Sequence, residues 1–317
     1  MGQFPVICGP TASGKTNLAV AVALAFGERG MSAEIISADA FQVYRELDIA
    51  SAKPTAEERK GVPHHLIDVV DVEERFTVAQ WLGLAEAAID DIRGRGSVPI
   101  VVGGTHLYIK ALQDGLFEGP GADESIRADL AAMDAAARRA ELERVDPEAA
   151  LRIHANDDRR TIRALEVYRI TGTPISAMQK QWDREPGRHG ADRSDRRLVI
   201  LDWDVPELNS RINARVKRMV QDGLVAETRA LADRLGPTAR EALGTKQVLR
   251  HLNSSGAGAC TLDEAIEQTK IETRRFAKNQ RTWMRRLAAT PGARVVRPAD
   301  RPLADIAQGI SVSVLAD

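Results

Sequence analysis

Gly9-Pro10-Thr11-Ala12-Ser13-Gly14-Lys15-Thr16 is the most informative stretch of this 317-residue chain. It fits the pattern G-x-x-x-x-G-K-[ST] of a phosphate-binding loop. Glycines let successive backbone N–H groups converge on phosphate oxygens, Lys15 supplies a point charge, and Thr16 offers a hydroxyl to Mg²⁺. The short apolar run Phe4–Cys8 precedes it, and Asn17–Phe26, apolar on every side, follows as a buried helix. The start of that helix turns its positive dipole end toward the loop. Gly9, Pro10, Thr11, Ala12, Ser13, Gly14, Lys15 and Thr16 are therefore expected to hold a phosphate-bearing ligand.

Further short apolar runs follow at Glu34–Ser37, Ser97–Val102, Arg197–Leu201 and Arg294–Val296, separated by helical stretches. Continuous apolar strands alternating with helices predict an α/β fold, a parallel sheet covered on both faces. Between about Gly121 and Gly190 the text turns Ala-, Arg- and acid-rich with few strand formers. The expected organisation is thus a first core part over 1–120, a helical insertion over 121–190 and a second core part over 191–317. Polar Trp182–Arg197 reads as the return linker. Leu208–Leu235 and Leu262–Leu287 read as long helices.

Lys and Arg number 44 against 45 Asp and Glu, a net charge of -1, which excludes a uniformly basic nucleic-acid coat but not a local basic face. Cys8 and Cys260 form no CxxC pair, so neither a disulfide framework nor a zinc site is indicated. Leu18–Phe26 is too short to span a bilayer, and Val6 stands where a myristoylation signal needs Ser or Thr. These features predict a cytoplasmic protein with no membrane partner. His64 and His65 are adjacent without further ligand spacing, which argues against metal binding.

The helix from Thr273 to Leu287 carries Arg274, Lys278, Arg281 and Arg285 as one stripe, with Phe276, Trp283 and Leu287 nearly opposite. From 270 to 286, seven basic residues (Lys270, Arg274, Arg275, Lys278, Arg281, Arg285 and Arg286) meet one acid, Glu272. In a chain otherwise near neutral that is a phosphate-seeking surface. By itself the phosphate loop leaves a small-molecule kinase open, and Asp39 alone could be a helix cap or a Mg²⁺ ligand.

Several segments taken with the loop resemble the tRNA dimethylallyltransferase family, also called isopentenyl-tRNA transferase. They are Ser37–Arg45, Leu47–Pro54, Pro63–Asp68, Val102–Tyr108, His154–Arg160, Arg163–Tyr168 and Thr273–Trp283, in family order over nearly the whole chain. The resemblance implies a P-loop core with an inserted helical domain gripping the anticodon stem of tRNA, the two substrates meeting in a channel through the core. It implies transfer of a dimethylallyl group from its diphosphate to the exocyclic amine of the adenine just 3′ of the anticodon, with Mg²⁺, by a monomer. Asp39 matches the general base, Thr105 a contact to a flipped nucleotide, and Lys15 the diphosphate side; Arg215, counted with the diphosphate-binding residues, and Arg211, one helical turn away, are expected to reach the diphosphate or tRNA. Asp39, Ala40, Phe41, Gln42, Thr105, Arg127, Arg159, Arg160, Arg163, Lys278 and Arg281 fall on positions expected to meet tRNA. A base attacked chemically must leave its stack, and a bidentate contact to adenine suits Gln42.

The sequence departs from the family where Ala40 replaces Ser, Asn279 replaces Arg, and Gly244-Thr245-Lys246-Gln247 replaces Gly-Tyr-Lys-Glu. The Cys/His finger of eukaryotic relatives is missing from the sequence, which points to the bacterial form. The rivals are a P-loop small-molecule kinase, a prenyltransferase acting on free AMP, and a non-enzymatic RNA-binding NTP sensor.

Overall fold

The computed structural model describes residues 2–116, 119–179, 195–254 and 259–315. Among them, six strands form one all-parallel sheet: β1 (Phe4–Cys8), β2 (Ala33–Ala38), β3 (His64–His65), β4 (Val98–Gly103), β5 (Arg196–Leu201) and β6 (Arg294–Val296). Their order across the sheet is β3-β2-β4-β1-β5-β6. β1, β2 and nearly all of β4 are buried along their length, as continuous apolar runs require when helices cover both faces. Helix Lys15–Gly27 packs between the sheet and helix Leu303–Leu315, burying Leu18, Val22, Phe26, Ile306 and Ile310.

One expectation needs correction, and one strand adds to those read from the sequence. The stretch Leu208–Leu235 is two helices, Val205–Gln221 and Leu224–Leu231, because Gly223 between them takes φ 109°, a left-handed conformation that ends the first. His64-His65 is the edge strand β3, paired to Ile35 and Ile36. Two residues are too few for a periodic signal. The pairing is secured from outside them, by the β2 ladder and by Glu34, which His65 Nε2 meets at 2.7 Å.

The chain divides into two compact units, residues 1–113 with 194–317, and residues 114–193. Most of the expected linker, residues 182–194, lies outside the described residues. The described part of the second unit is helical: Glu124–Ala132, Ala135–Val145, Pro147–Arg152, Asp158–Thr171 and Ile175–Gln179. Four of these begin at an aspartate (Asp123, Asp134, Asp146 and Asp157) whose carboxylate accepts first-turn N–H groups. Leu130, Leu142, Ala164, Leu165 and Val167 form its small core.

Candidate active site

The phosphate loop leaves β1 at the carboxyl edge of the sheet and enters helix Lys15–Gly27. Its turn depends on two left-handed residues, Ala12 at φ 62° and Gly14 at φ 81°. Donors from the second half of the core hold it from outside. Trp203 Nε1 donates to the Ser13 carbonyl at 3.0 Å, and Arg211 Nε to the Ala12 carbonyl at 2.9 Å, with the guanidinium 4.4 Å above the Trp203 ring. The Thr11 and Ser13 N–H groups are taken by Gln280 and the Pro10 carbonyl, while those of Ala12, Gly14, Lys15 and Thr16 have no partner among the described residues, as an anion cradle requires. Arg211, expected at the diphosphate or tRNA, is thus a strut of the loop.

Lys15 and Arg215 have no hydrogen-bond or ion-pair partner among the described residues. Desolvation lowers the Lys15 ammonium from 10.5 to about 8, against the opposing pull of Asp39. Desolvation lowers Arg215 as well, with Asp39 and Glu58 opposing it. The fold therefore gathers two desolvated cations about one carboxylate, leaving net positive charge beside the loop.

Asp39 follows β2 directly, and its Oδ1 accepts the Phe41 N–H at 3.0 Å. The Thr105 hydroxyl accepts the Ala40 N–H at 3.0 Å, so the turn after β4 fixes the turn after β2. Gly103 makes this closeness possible: it pairs with both Ala38 and Cys8, and a Cβ there would stand 2.1 Å from the Ala38 carbonyl oxygen. The Gln42 amide is held by Ser37 Oγ at 2.8 Å and donates to the Ala52 carbonyl at 3.2 Å, which leaves one lone pair and one N–H of the amide. Phe41 and Ala40 are partly exposed on the same turn.

In the second unit, Arg159 and Arg160 are exposed. Arg127 and Arg163 instead converge on Glu166, whose side chain is fully buried, at 2.8 and 2.6 Å. Burial works against that carboxylate, yet Arg163, the Asp123 N–H and Arg127 hold it below its ordinary range. Lys278 is exposed on helix Leu262–Leu287 and Arg281 is partly buried there. The buried face of that helix is Thr269, Thr273, Ala277, Gln280 and Met284, while Phe276 is 37% exposed.

Three residues escaped the sequence reading. Gln280 accepts the Thr11 N–H at 2.8 Å and donates to the Gly104 carbonyl at 2.8 Å. Glu227 accepts the N–H groups of Asp48, Ile49 and Ala50 at 2.8, 2.7 and 2.9 Å, pinning the segment that leads to Ala52. Trp203 braces the loop as described. Nothing in local spacing marks them; each acts on a segment more than 170 residues away. Gln247, one of the departures, is 3% exposed, accepts the Gly244 N–H at 2.8 Å and donates to Glu272 at 2.8 Å. A glutamate there would set two carboxylates together.

A phosphate loop on a parallel sheet, with an acid at the neighbouring strand end where such sheets bind ligands, is the site of a P-loop-type α/β enzyme. Comparison with known proteins narrows that class. Residues 42–287 match the IPP transferase family and residues 2–79 the isopentenyl transferase family. The tRNA dimethylallyltransferase of Thermobifida fusca is 46% identical over 294 residues, covering 90% of this chain and 88% of that one. That of Anaeromyxobacter dehalogenans is 45% identical over 290 residues, covering 90% and 92%. Among solved structures, the tRNA isopentenylpyrophosphate transferase of Bacillus halodurans is 35% identical with a TM-score of 0.69, covering 100% of this chain and 98% of that one. A eukaryotic dimethylallyltransferase acting on tRNA is 27% identical with a TM-score of 0.77, covering 100% and 78%. The chain belongs to the IPP transferase family, and it is a transferase enzyme.

Proposed function

We propose that this enzyme transfers a dimethylallyl group from dimethylallyl diphosphate to the N6 amine of the adenine immediately 3′ of the anticodon of tRNA, releasing diphosphate. The observation that carries the reading is the pair of unpartnered, desolvated cations, Lys15 and Arg215, gathered with Asp39 beside the phosphate loop. The allylic carbon–oxygen bond breaks and its electron pair leaves on the diphosphate, where Lys15, Arg215 and the loop N–H groups stabilise the growing charge. The adenine nitrogen forms the new bond to carbon and loses a proton to Asp39. One oxygen of Asp39 is occupied by the Phe41 N–H, and the other is free among the described residues to take it. A base so placed contributes about 10²–10⁴-fold. The Thr105 hydroxyl spends a lone pair on Ala40 and keeps its proton to donate to the flipped nucleotide.

Mg²⁺ fits this donor set in one mode. Among the described residues no cluster of three or more His, Cys, Asp or Glu forms a cage, and Mg²⁺ is commonly held by one protein oxygen plus substrate phosphates and waters. Thr16 would hold it, and the ion would neutralise charge on the leaving diphosphate. The anticodon stem-loop meets Arg159 and Arg160 of the helical unit and Lys278 and Arg281 of the basic helix. The enzyme is proposed to work as a monomer in the cytoplasm, and no helix among the described residues is long and apolar enough to cross a membrane. Family membership favours prenyl transfer over the kinase.

The test is incubation with dimethylallyl diphosphate, Mg²⁺ and unmodified bacterial tRNA, followed by digestion and nucleoside mass spectrometry. An adenosine heavier by one dimethylallyl group, absent when AMP replaces tRNA, is the expected result. Prenylated AMP or ATP hydrolysis with unchanged tRNA would transfer the assignment to the corresponding rival. Asp39→Ala should abolish turnover while tRNA binding persists.

A further inference from the structure

We propose that Gln280 is a positioning residue for this reaction, setting through its amide the distance between the phosphate loop and the Asp39 carboxylate; the inference rests on the prenyl-transfer reading above. Displacement needs leaving group, allylic carbon and amine nearly in line. The groups that hold the leaving group and the group that takes the proton sit on different strand ends, and β4 lies between β1 and β2. Ladder pairing fixes their relative height only as far as Gly103, which pairs with Cys8 on one side and Ala38 on the other.

Past that row the chains diverge into turns, and Gln280 continues the register. Its side chain, on a residue 3% exposed, spends its acceptor on the Thr11 N–H and its donor on the Gly104 carbonyl, both at 2.8 Å. Gly104 leads into Thr105, which takes the Ala40 N–H at 3.0 Å and donates its own N–H to Ala38 at 3.3 Å. A continuous line of hydrogen bonds thus runs from the phosphate loop through one amide to the residue beside Asp39. The task requires an amide of this length, with one acceptor for an N–H and one donor for a carbonyl. Gly104 is tailored to it, since a Cβ there would lie 2.6 Å from Gln280 Nε2 and 3.0 Å from the Gly9 carbonyl oxygen.

The experiment compares Gln280→Met, which keeps length and burial but neither hydrogen bond, with Gly104→Ala, which displaces the amide by volume. Steady-state prenylation of tRNA is measured beside thermal melts of each protein. Reactive groups misplaced by about 1 Å lose about a hundredfold in rate, so kcat should fall about ten- to a hundredfold in each variant. KM for both substrates should stay within about threefold, because the binding groups remain. The double variant should lose little more than either single one, since both disturb the same contact. Unchanged kcat, losses that multiply in the double variant, or a kcat loss matched by a rise in KM and a collapsed melt would each overturn the inference. If Gln280→Met does not fold, the kcat-against-KM comparison for Gly104→Ala decides. Wild-type protein inactive on tRNA defeats the functional reading instead, so the two failures are distinguishable.

Discussion

Diphosphate affinity should weaken steeply with pH because of Lys15. Desolvation holds its ammonium at about 8 rather than 10.5, a displacement worth about 3 kcal/mol against the charged form. A diphosphate seated against it supplies the missing counter-charge and returns the ammonium toward its ordinary range. Below about pH 8 the free protein already carries the proton, and affinity is flat with respect to this group. Between about 8 and 10.5, binding must take up a proton, and the dissociation constant rises about tenfold per pH unit, to about 300-fold in all. Calorimetric titration with inorganic diphosphate, without metal, measures this from about pH 7 to pH 10 in wild type and Lys15→Met. The ratio of the two constants removes the ligand's own ionisation. A wild-type-to-variant ratio of dissociation constants that stays flat, or falls with pH, refutes the placement of Lys15 against the ligand.

The same displacement has a stability signature of fixed sign. The unfolded state keeps its Lys15 proton to about 10.5 while the folded state releases it near 8, so stability rises with pH across that window. Lys15→Met should therefore melt higher than wild type near pH 7, with the gap closing toward pH 10.

Other expectations follow from single contacts. Gly103→Ala drives a Cβ to 2.1 Å from the Ala38 carbonyl, backbone against backbone, and should destabilise far more than Gly104→Ala in a denaturant titration. Glu166→Gln removes the charge that Arg127 and Arg163 share and should cost about 2–4 kcal/mol, discounted for the partial exposure of both arginines. Because Glu166 is held below its ordinary range, its contribution is present at neutral pH and is lost as pH falls through its folded value, so wild type and variant should converge in acid. Arg159→Ala with Arg160→Ala should leave diphosphate binding unchanged, weaken tRNA binding, and lower the salt dependence of log affinity by about one per lost phosphate contact.

Much of the site was legible in the chain because its chemistry is local. A phosphate loop needs its glycines, lysine and hydroxyl within eight residues, and buried parallel strands announce themselves as unbroken apolar runs on either side. Asp39 and Thr105 could be assigned to one edge of the sheet since Asp39 directly follows β2 and Thr105 follows β4 with only Gly104 between. The break at Gly223 and the two-residue β3 were not legible, one resting on a left-handed conformation that glycine permits but does not compel, the other on partners elsewhere.

What tertiary structure alone decided are side chains whose roles depend on distant backbone. Arg127 and Arg163 read as free cations until Glu166 is seen buried between them. Arg211 and Arg215 look interchangeable one turn apart, yet one braces the Ala12 carbonyl and the other remains unpaired near Asp39. Gln280, lost among seven basic neighbours in sequence, joins Thr11 to Gly104 across 269 and 176 residues. Periodicity and motif spacing report on bonds within a segment. A buried amide obtains its meaning from whichever orphan donor and acceptor the packed core brings to it, and only the folded chain specifies those.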